Sequence, residues 1–277
     1  MNQQVVKTFP ENIERFGFGK NWLEYIKKNL SPEKVEISRN HLLGFLGEKD
    51  ISGKTFLDIG CGSGLHSIAA LQAGADQIYS FDYDPKSVEA SKFVKENITH
   101  SNKNWTIERG DVLDDSYMEA LPKFDIVYSW GVLHHTGDVW HAIRNAASRV
   151  KKGGLFYIAL YSADVDTEEG QKFWLEMKKK YVSSGWLKRQ YYDWWYVWTF
   201  YMHKKISNYP AFLKRARDYK EIRGMNIITD VRDWLGGWPM EYVYDAHAID
   251  FCEKLGFRLE KIVTGQANTE FLFVREK

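Results

Sequence analysis

The sequence predicts an α/β fold: a doubly wound, mostly parallel sheet of seven strands, preceded by helices and carrying a helical, aromatic-rich insertion after the fifth strand. Three observations predict it. Strand-like and helix-like segments alternate from residue 51 to residue 160, a glycine-rich turn follows the first strand, and polar residues follow the ends of later strands. Such alternation requires a parallel sheet with helices on both faces. Ligands of these sheets bind beyond the carboxyl ends of the strands, so we expect one crevice there.

The first strand and its turn occupy residues 54–67, KTFLDIGCGSGLHS. Apolar Phe56, Leu57 and Ile59 indicate a short buried strand, and residues 65–71 resume with helical spacing. Three glycines at alternate positions separate them. Glycine suits a tight turn, partly at positive φ, that lets a ligand lie against bare backbone at a helix N-terminus. By itself, such a turn is equally suited to a plain connection.

Acidic residues around the turn indicate which ligand it holds. Asp82 ends the second strand, 22 positions after Gly60, and an acid about 20 residues beyond such glycines binds ribose hydroxyls. Asp58 lies just before the turn, and Asp111 follows the third strand. A carboxylate beside the turn would repel a pyrophosphate, but it suits a ligand with a cationic amino group. The pattern argues against NAD and favours S-adenosylmethionine.

Five pieces of residues 50–160 then arrive in the order and spacing of one family: LDIGCGSG, FDYDP, GDVLD, FDIVYSWGVLHH and VKKGGLFYIALY. With them, this part of the chain resembles the class I S-adenosylmethionine-dependent methyltransferases of the small-molecule type. The resemblance implies a Rossmann-like core whose last strand is antiparallel. It also implies S-adenosylmethionine as the cofactor and S-adenosylhomocysteine as the product.

The same resemblance assigns the cofactor contacts to residues of this chain. Those expected along the methionine and the ribose are Asp58, Gly60, Cys61, Gly62 and Asp82, with Asp58 near the amino group and Asp82 on the ribose hydroxyls. Those expected at the adenine are Asp111 and Val112, and those closing over the methionine end are Trp130 and Gly131.

The composition is that of a globular protein. The chain has 277 residues, 44% of them hydrophobic, which is enough for a large domain with a full core. The net charge of +1 gives no overall polyanion-binding character. We expect Cys61 and Cys252 to be free thiols in a reducing cytoplasm. The polar first residues and the lack of a long apolar stretch indicate neither export nor a membrane span.

We expect four parts along the chain. They are an N-terminal helical lid (1–50), the S-adenosylmethionine-binding core (51–162), a substrate-capping insertion (163–245) and the end of the core sheet (246–277). In the lid, FGFGKNW suggests a loop that closes over the cofactor, with Phe18 and Trp22 as substrate contacts, and a plain turn into a helix is the alternative. Ser31 and Pro32 predict the start of the second helix as N-cap and first residue.

The insertion is aromatic and basic. Residues 190–201, QYYDWWYVWTFY, are too densely aromatic for one amphipathic stripe, and residues 171–224 hold thirteen Lys and Arg against four Asp and Glu. Three interpretations stay open. They are a small helical subdomain with a solvated charged face, a cap that recognises a sugar-like or anionic acceptor, and a surface for nucleic acid or membrane.

Residues 223–242, RGMNIITDVRDWLGGWPMEY, mix glycine, proline and polar residues with tryptophan, so we expect a structured loop rather than a regular element. Four of its side chains are candidates for the substrate site, namely Arg223, Asp233, Trp234 and Glu241. Asn268, in the following N-x-E-F piece, is a fifth candidate. The alternative for each is a role in a linker folded back on the core.

Methyl transfer needs alignment of donor and acceptor, exclusion of water and removal of the acceptor's proton. No metal is needed, and adjacent His134 and His135 do not have the spacing of metal ligands. They follow the fourth strand, where an imidazole suits a general base near neutral pH. Tyr161 is the next candidate to position an acceptor, and Asp233 or Glu241 to take a proton or hold an amine.

The sequence thus predicts a methyltransferase that acts on a polar small molecule, at a hydroxyl oxygen of a sugar-like or anionic metabolite. One alternative acceptor is a small amine, which would need carboxylates and aromatics around a cation. Another is RNA, bound through the basic insertion. A non-catalytic S-adenosylmethionine-binding scaffold is the remaining alternative, disfavoured because the cofactor residues are all present.

Overall fold

The computed structural model of the chain describes residues 15, 17–99, 104–223 and 227–277, without the side chains of residues 220–223. The chain divides into two units. The first comprises Met1–Gln171 and Pro239–Lys277, and the second is Lys172–Trp238.

The first unit is built on one seven-stranded sheet in the order β3-β2-β1-β4-β5-β7-β6. The first five strands run parallel to one another, while β7 is antiparallel to both β5 and β6. This confirms the predicted sheet with its antiparallel last strand. The strands are β1 Thr55–Ile59, β2 Gln77–Asp82, β3 Trp105–Arg109, β4 Phe124–Trp130, β5 Val150–Tyr161, β6 Phe257–Thr264 and β7 Asn268–Arg275.

Helices cover both faces of this sheet. Those of the first unit are α1 Gly19–Asn29, α2 Pro32–Leu46, α3 Leu65–Gln72, α4 Pro85–Thr99, α5 Asp115–Ala120, α6 Val139–Ser148 and α11 Asp245–Lys254, while α7 Glu168–Val182 runs from it into the second unit. The start of α2 is as predicted, because the Ser31 hydroxyl accepts the Lys34 N–H and Pro32 is its first residue.

Two apolar clusters hold the sheet and its helices together. One includes Leu57 and Phe156 with α6 and α11, and the other includes Phe56 and Tyr157 with α1 to α4. Neighbours along a strand enter opposite clusters, as the alternation of side chains in a strand requires. Cys61 and Cys252 are both buried free thiols, as expected.

The second unit has its own small core, which includes Tyr181, Val197 and Leu235. Its helices are the larger part of α7, then α8 Trp186–Tyr196, which continues as a π-helical turn Val197–Tyr201, then α9 Tyr209–Arg223 and α10 Ile227–Gly236. Among the described residues of the whole chain, none of the helices combines the length and the apolar character that crossing a membrane requires.

Our expectation of a loop over residues 223–242 is wrong for α10. Ile227, Val231 and Leu235 recur every four residues, and all three are buried on one face of the helix. The glycines that suggested a loop, Gly236 and Gly237, lie at and just after the end of this helix. The helical period of the apolar residues therefore outweighs the irregular composition.

Lys178, in α7, is a lysine buried in the second unit with no accessible surface. Its ammonium group donates a hydrogen bond to the Trp234 carbonyl and lies 3.9 Å from the centroid of the Trp234 ring. Burial lowers the pKa of Lys178 to about 7. Folding therefore tends to remove a proton that the unfolded chain keeps up to about pH 10.5.

We expect Lys178→Met to change the pH dependence of stability. Between about pH 7 and pH 10 the unfolded wild type binds more protons than the folded form, so its unfolding free energy rises with pH relative to the variant. The slope should approach about 1 kcal/mol per pH unit. Urea unfolding at several pH values measures it. Lys179→Met, at the exposed neighbouring position, is the control, and parallel curves for wild type and Lys178→Met would contradict the assignment.

Candidate functional site

The glycine turn after β1 is fastened to the end of β2. The N–H groups of Gly60 and Cys61 donate to the Phe81 carbonyl over 2.8 and 3.1 Å. Gly62 N–H donates to Asp82 Oδ2 over 3.0 Å. Gly60 has φ of 74°, and a Cβ there would come within 2.4 Å of Val132. Only glycine therefore fits between the turn and the loop after β4.

Asp82 joins the glycine turn to the residues that follow β2, because its Oδ2 accepts the Gly62 N–H and its Oδ1 accepts the N–H of Asp84 over 2.9 Å. Burial raises the pKa of Asp82 to about 6, against the opposing effect of the N–H groups of Asp84 and Gly62. A ligand that donates hydroxyl protons or carries positive charge would favour the ionised form. The role of Asp82 at the ribose hydroxyls stays a prediction.

Asp58 is buried behind the turn and ends a chain of hydrogen bonds. Trp105 Nε1–H donates to the Ser80 hydroxyl over 2.8 Å, the Ser80 and Ser67 hydroxyls are 2.7 Å apart, and Ser67 donates to Asp58. Burial, aided by the nearby Asp82 carboxylate and opposed by the Ser67 hydrogen bond, raises the pKa of Asp58 to about 7. Asp58 is thus a carboxyl group that a nearby cation would ionise.

Asp111, after β3, is paired with an arginine that the sequence analysis missed. Arg15 Nη1 lies 2.9 Å from Asp111 Oδ1, and Arg15 Nε donates to the Thr136 carbonyl over 3.2 Å. The guanidinium also lies 4.5 Å from the centroid of the Tyr83 ring. Arg15 therefore joins segments that follow three different strands. Nothing local in ENIERF distinguishes this arginine from a surface one.

Phe18, Gly19 and Trp22 also lie beside residues that follow the carboxyl ends of the strands. Gly19 N–H donates to Asp84 Oδ2 over 2.7 Å. The Phe18 and His135 rings are 5.5 Å apart, and a Cβ on Gly62 would approach the Trp22 indole within 3.9 Å. Both predicted substrate contacts of this segment therefore lie beside residues of the crevice.

Trp130, Gly131 and Val112 complete the set expected at the cofactor. Trp130 ends β4 and is 41% exposed. Gly131 has φ of 73°, and a Cβ there would meet nothing within 4 Å. Val112 is buried, and its carbonyl accepts from the Asn145 side chain over 2.9 Å. The open space beside Gly131, together with the carboxylates of Asp82 and Asp58, fits a ligand that carries hydroxyls and a cation.

His134, His135 and Tyr161 form one cluster at the ends of β4 and β5. The His134 ring lies 4.4 Å from the His135 ring and 4.3 Å from the Tyr161 ring. His134 is fully buried, and its Nδ1 accepts the Tyr161 N–H over 3.3 Å. His135 is partly exposed, and its Nδ1 lies 2.7 Å from the Pro239 carbonyl oxygen. A carbonyl only accepts, so the neutral His135 ring carries its proton on Nδ1 and its lone pair on Nε2.

Glu241 and Asn268 lie on segments that border this cluster. Glu241 N–H donates to the His134 carbonyl over 2.9 Å, and its Oε2 accepts the Val139 N–H at the start of α6 over 3.0 Å. Asn268 begins β7 and pairs in register with Tyr161. Glu241 therefore holds the loop after β4, whatever else it binds.

A second group of titratable side chains, around Glu270, was also missed. Glu270 pairs in register with Ala159, which pairs with Trp130, so it lies two strands from Trp130. Its carboxylate accepts the Tyr157 hydroxyl and lies 3.7 Å from His41 Nε2. Burial raises the pKa of Glu270, but hydrogen bonds from His41 and Tyr157 lower this pKa more, so that it lies below its ordinary value. Three distant segments supply these side chains, so sequence spacing carries no signal for the group.

The three other predicted substrate residues belong to the second unit. Asp233 and Trp234 lie in α10 of the second unit. The Arg223 side chain lies outside the described part of the chain. Within the described ranges, His, Cys, Asp and Glu form no group of three or more suited to a metal ion.

Comparisons with known proteins identify the family of the chain. A family profile described as "Methyltransferase domain" matches residues 32–216. The chain belongs to this family. The matched residues therefore form a class I methyltransferase domain, the type that uses S-adenosylmethionine.

Relatives and solved structures extend the comparison. A ribosomal protein L11 methyltransferase of Helicobacter hepaticus is 33% identical over 46% of this chain and 43% of its own. A ubiquinone biosynthesis O-methyltransferase of Methylobacterium sp. is 29% identical over 56% of this chain and 58% of its own. The methyltransferase thus spans about half the length of these relatives.

Among structures, magnesium protoporphyrin IX methyltransferase of Synechocystis PCC 6803 with bound S-adenosylhomocysteine shares 14% identity. It superposes with a TM-score of 0.54 over 92% of this chain and 93% of that one. A protein of Methanococcus maripaludis named as an S-adenosylmethionine-dependent methyltransferase shares 19% identity. It superposes with a TM-score of 0.51 over 97% of this chain and 98% of that one. At these identities the likeness shows the fold.

We expect Asp82→Ala to weaken S-adenosylhomocysteine binding about 100-fold, because hydrogen bonds to a charged group contribute roughly 1.5–3 kcal/mol and the glycine turn loses its Gly62 contact. Titration calorimetry measures the affinity, and circular dichroism verifies the fold. Asp76→Ala, at an exposed position just before β2, is the control. Wild-type affinity in Asp82→Ala would remove Asp82 from the cofactor site.

We expect S-adenosylhomocysteine affinity to rise with pH between about pH 5 and pH 7. The pKa of Asp82 is raised to about 6 and that of Asp58 to about 7, so the protein without ligand is partly protonated at both in this range. The ammonium group of the ligand favours the carboxylates, so binding releases protons, and Kd falls at most tenfold per pH unit for each proton. Calorimetry in buffers of different ionisation enthalpy counts them. Asp58→Asn should release fewer protons on binding the ligand. An unchanged number of released protons would contradict this role of Asp58.

Proposed function

We propose that this methyltransferase transfers the methyl group to a hydroxyl oxygen of a polar small molecule, with His135 as the general base. The observation that carries the proposal is the Pro239 carbonyl 2.7 Å from His135 Nδ1. That contact orients the ring and leaves Nε2 as the nitrogen that takes the acceptor's proton. An imidazole with its tautomer fixed by a backbone carbonyl is suited to this task near neutral pH.

His134 has a different part in this proposal. Its ring is fully buried between His135 and Tyr161, and its Nδ1 is occupied by the Tyr161 N–H. It therefore fixes the loop after β4 against the end of β5, which positions His135 and Tyr161. In the proposed reaction, Tyr161 orients the acceptor from the end of β5.

S-adenosylmethionine supplies a methyl group already activated by its positively charged sulfur. The chain has to align the acceptor, exclude water and take the proton. As the acceptor oxygen bonds to the methyl carbon and the sulfur–carbon bond breaks, the hydroxyl proton moves to His135 Nε2. Phe18 and Trp22 lie beside His135 and Gly62, where they would exclude water. These contacts support residues 1–50 as a lid.

The remaining predicted acceptor contacts stay part of this proposal. Glu241 and Asn268 border the His135 cluster. Residues 163–245 would recognise the acceptor, through Arg223, Trp234 and Asp233. Among the relatives, the ubiquinone biosynthesis O-methyltransferase acts on oxygen by its name, which supports this choice, whereas the other relative is named for a ribosomal protein.

One observation favours a small amine as the second candidate acceptor. The Glu270 carboxylate, with its pKa held low, lies on the sheet two strands from the half-exposed Trp130 indole. A carboxylate beside an aromatic ring is the arrangement that holds a cationic amine.

We expect His135→Ala to lower kcat about 100-fold or more while S-adenosylhomocysteine affinity stays near wild type, since removing a general base affects the proton-transfer step. Transfer of labelled methyl to a panel of hydroxylated and amino compounds identifies an acceptor and then measures kcat. His134→Ala is the matched comparison, expected to lower thermal stability as well because that ring is buried.

Wild-type turnover in both variants would show that neither histidine is the base. Methylation of amines alone, with loss of activity in Glu270→Gln rather than in His135→Ala, would favour the second candidate instead.

A further inference from the structure

The exposed side of α8 has the side-chain pattern of a buried surface. Leu187, Tyr191, Trp194 and Trp198 follow one another at intervals of four, three and four residues, so they form one stripe along the helix and its π-helical continuation. Their exposed fractions are 76%, 64%, 55% and 39%. We call these four residues the α8 stripe.

The opposite side of α8 holds a carboxylate where a core residue would be expected. Asp193 is buried and accepts the Tyr181 hydroxyl over 2.9 Å and Arg232 Nε over 2.7 Å. The helix therefore directs Asp193 inward while Tyr191 and Trp194 stay exposed, although Tyr192 and Tyr196 of the same helix pack against the core. A helix that only had to stabilise its own unit would gain by the reverse arrangement. The stripe is thus suited to contact something outside the chain.

The segment that carries the stripe is basic. Residues 171–224 carry nine more Lys and Arg than Asp and Glu, thirteen against four. Exposed examples are Lys188, within α8, and Lys204 and Lys205, just after its π-helical turn. A second copy of the chain docking stripe to stripe would bring like charges together. An anionic partner matches them.

We propose that the α8 stripe docks this methyltransferase on an anionic membrane surface. Tryptophan and tyrosine favour the boundary between headgroups and acyl chains, and lysine and arginine attract anionic headgroups. Leu187 distinguishes this partner from nucleic acid. It is the most exposed residue of the stripe, and its aliphatic side chain neither stacks on a base nor pairs with a phosphate. It gains only by leaving water for an apolar phase.

Sedimentation with lipid vesicles tests the proposal on the full chain. We expect the wild type to bind vesicles of phosphatidylcholine with one-third phosphatidylserine at least tenfold more strongly than vesicles of phosphatidylcholine alone. Leu187→Glu should lower the partition coefficient about tenfold or more. The change removes a leucine that would enter the lipid, and it adds a charge of the same sign as the anionic headgroups. Lys188→Glu should weaken binding to the anionic vesicles only.

Ile37→Glu is the matched control, because Ile37 is 61% exposed on α2 in the first unit. It should bind vesicles as the wild type does, and all variants should keep wild-type circular dichroism and S-adenosylhomocysteine affinity. Absence of wild-type binding to the anionic vesicles overturns the proposal, as does equal loss in Ile37→Glu. Two further results would assign the stripe to another partner. They are a dimer in vesicle-free solution that Leu187→Glu dissociates, and RNA binding that Leu187→Glu abolishes.

Discussion

Three backbone N–H groups hold the glycine turn against β2, and the geometry of the site depends on them. Gly60 and Cys61 donate to the Phe81 carbonyl, and Gly62 donates to the Asp82 carboxylate. The turn can lie so close only because Gly60 has no side chain, since Val132 fills the space beside it. Val132 in turn precedes the two histidines. A displacement at Gly60 would therefore reach both the cofactor acid and the proposed base.

The acids of the site are held in a state that suits a cationic ligand. A carboxylate offers about four lone-pair positions, so Asp82 can keep two backbone N–H groups and still accept ribose hydroxyls. Asp58 is more buried and ends a chain of three donors from Trp105. Burial raises the pKa of both groups. An approaching positive charge therefore stabilises both carboxylates. In the proposed cofactor site, this makes binding depend on the charge of the cofactor.

The part of the structure that the sequence predicts is the part encoded by local pattern. The glycine turn, the seven strands and the cap of α2 at Ser31 each depend on residues within one short segment. Arg15 and Glu270 acquire their partners only across distant segments, Asp111 for one and His41 for the other. The helix α10 was missed for a different reason, since its apolar period was present but was outweighed by the surrounding glycines and proline.

The second unit shows that its side chains are not arranged for stability alone. Lys178 is buried without a carboxylate among its described contacts, at the cost of its charge, while large aromatic rings of α8 stay in water. An apolar residue at the buried position of Lys178, and polar residues in place of the exposed rings of α8, would stabilise the unit. The gain is about 25 cal/mol for each square ångström of apolar surface removed from water. In the proposal for the α8 stripe, the exposed rings forgo this gain because they contact a partner outside the chain. In α8, the basic residues around the rings specify the sign of the charge that this contact carries.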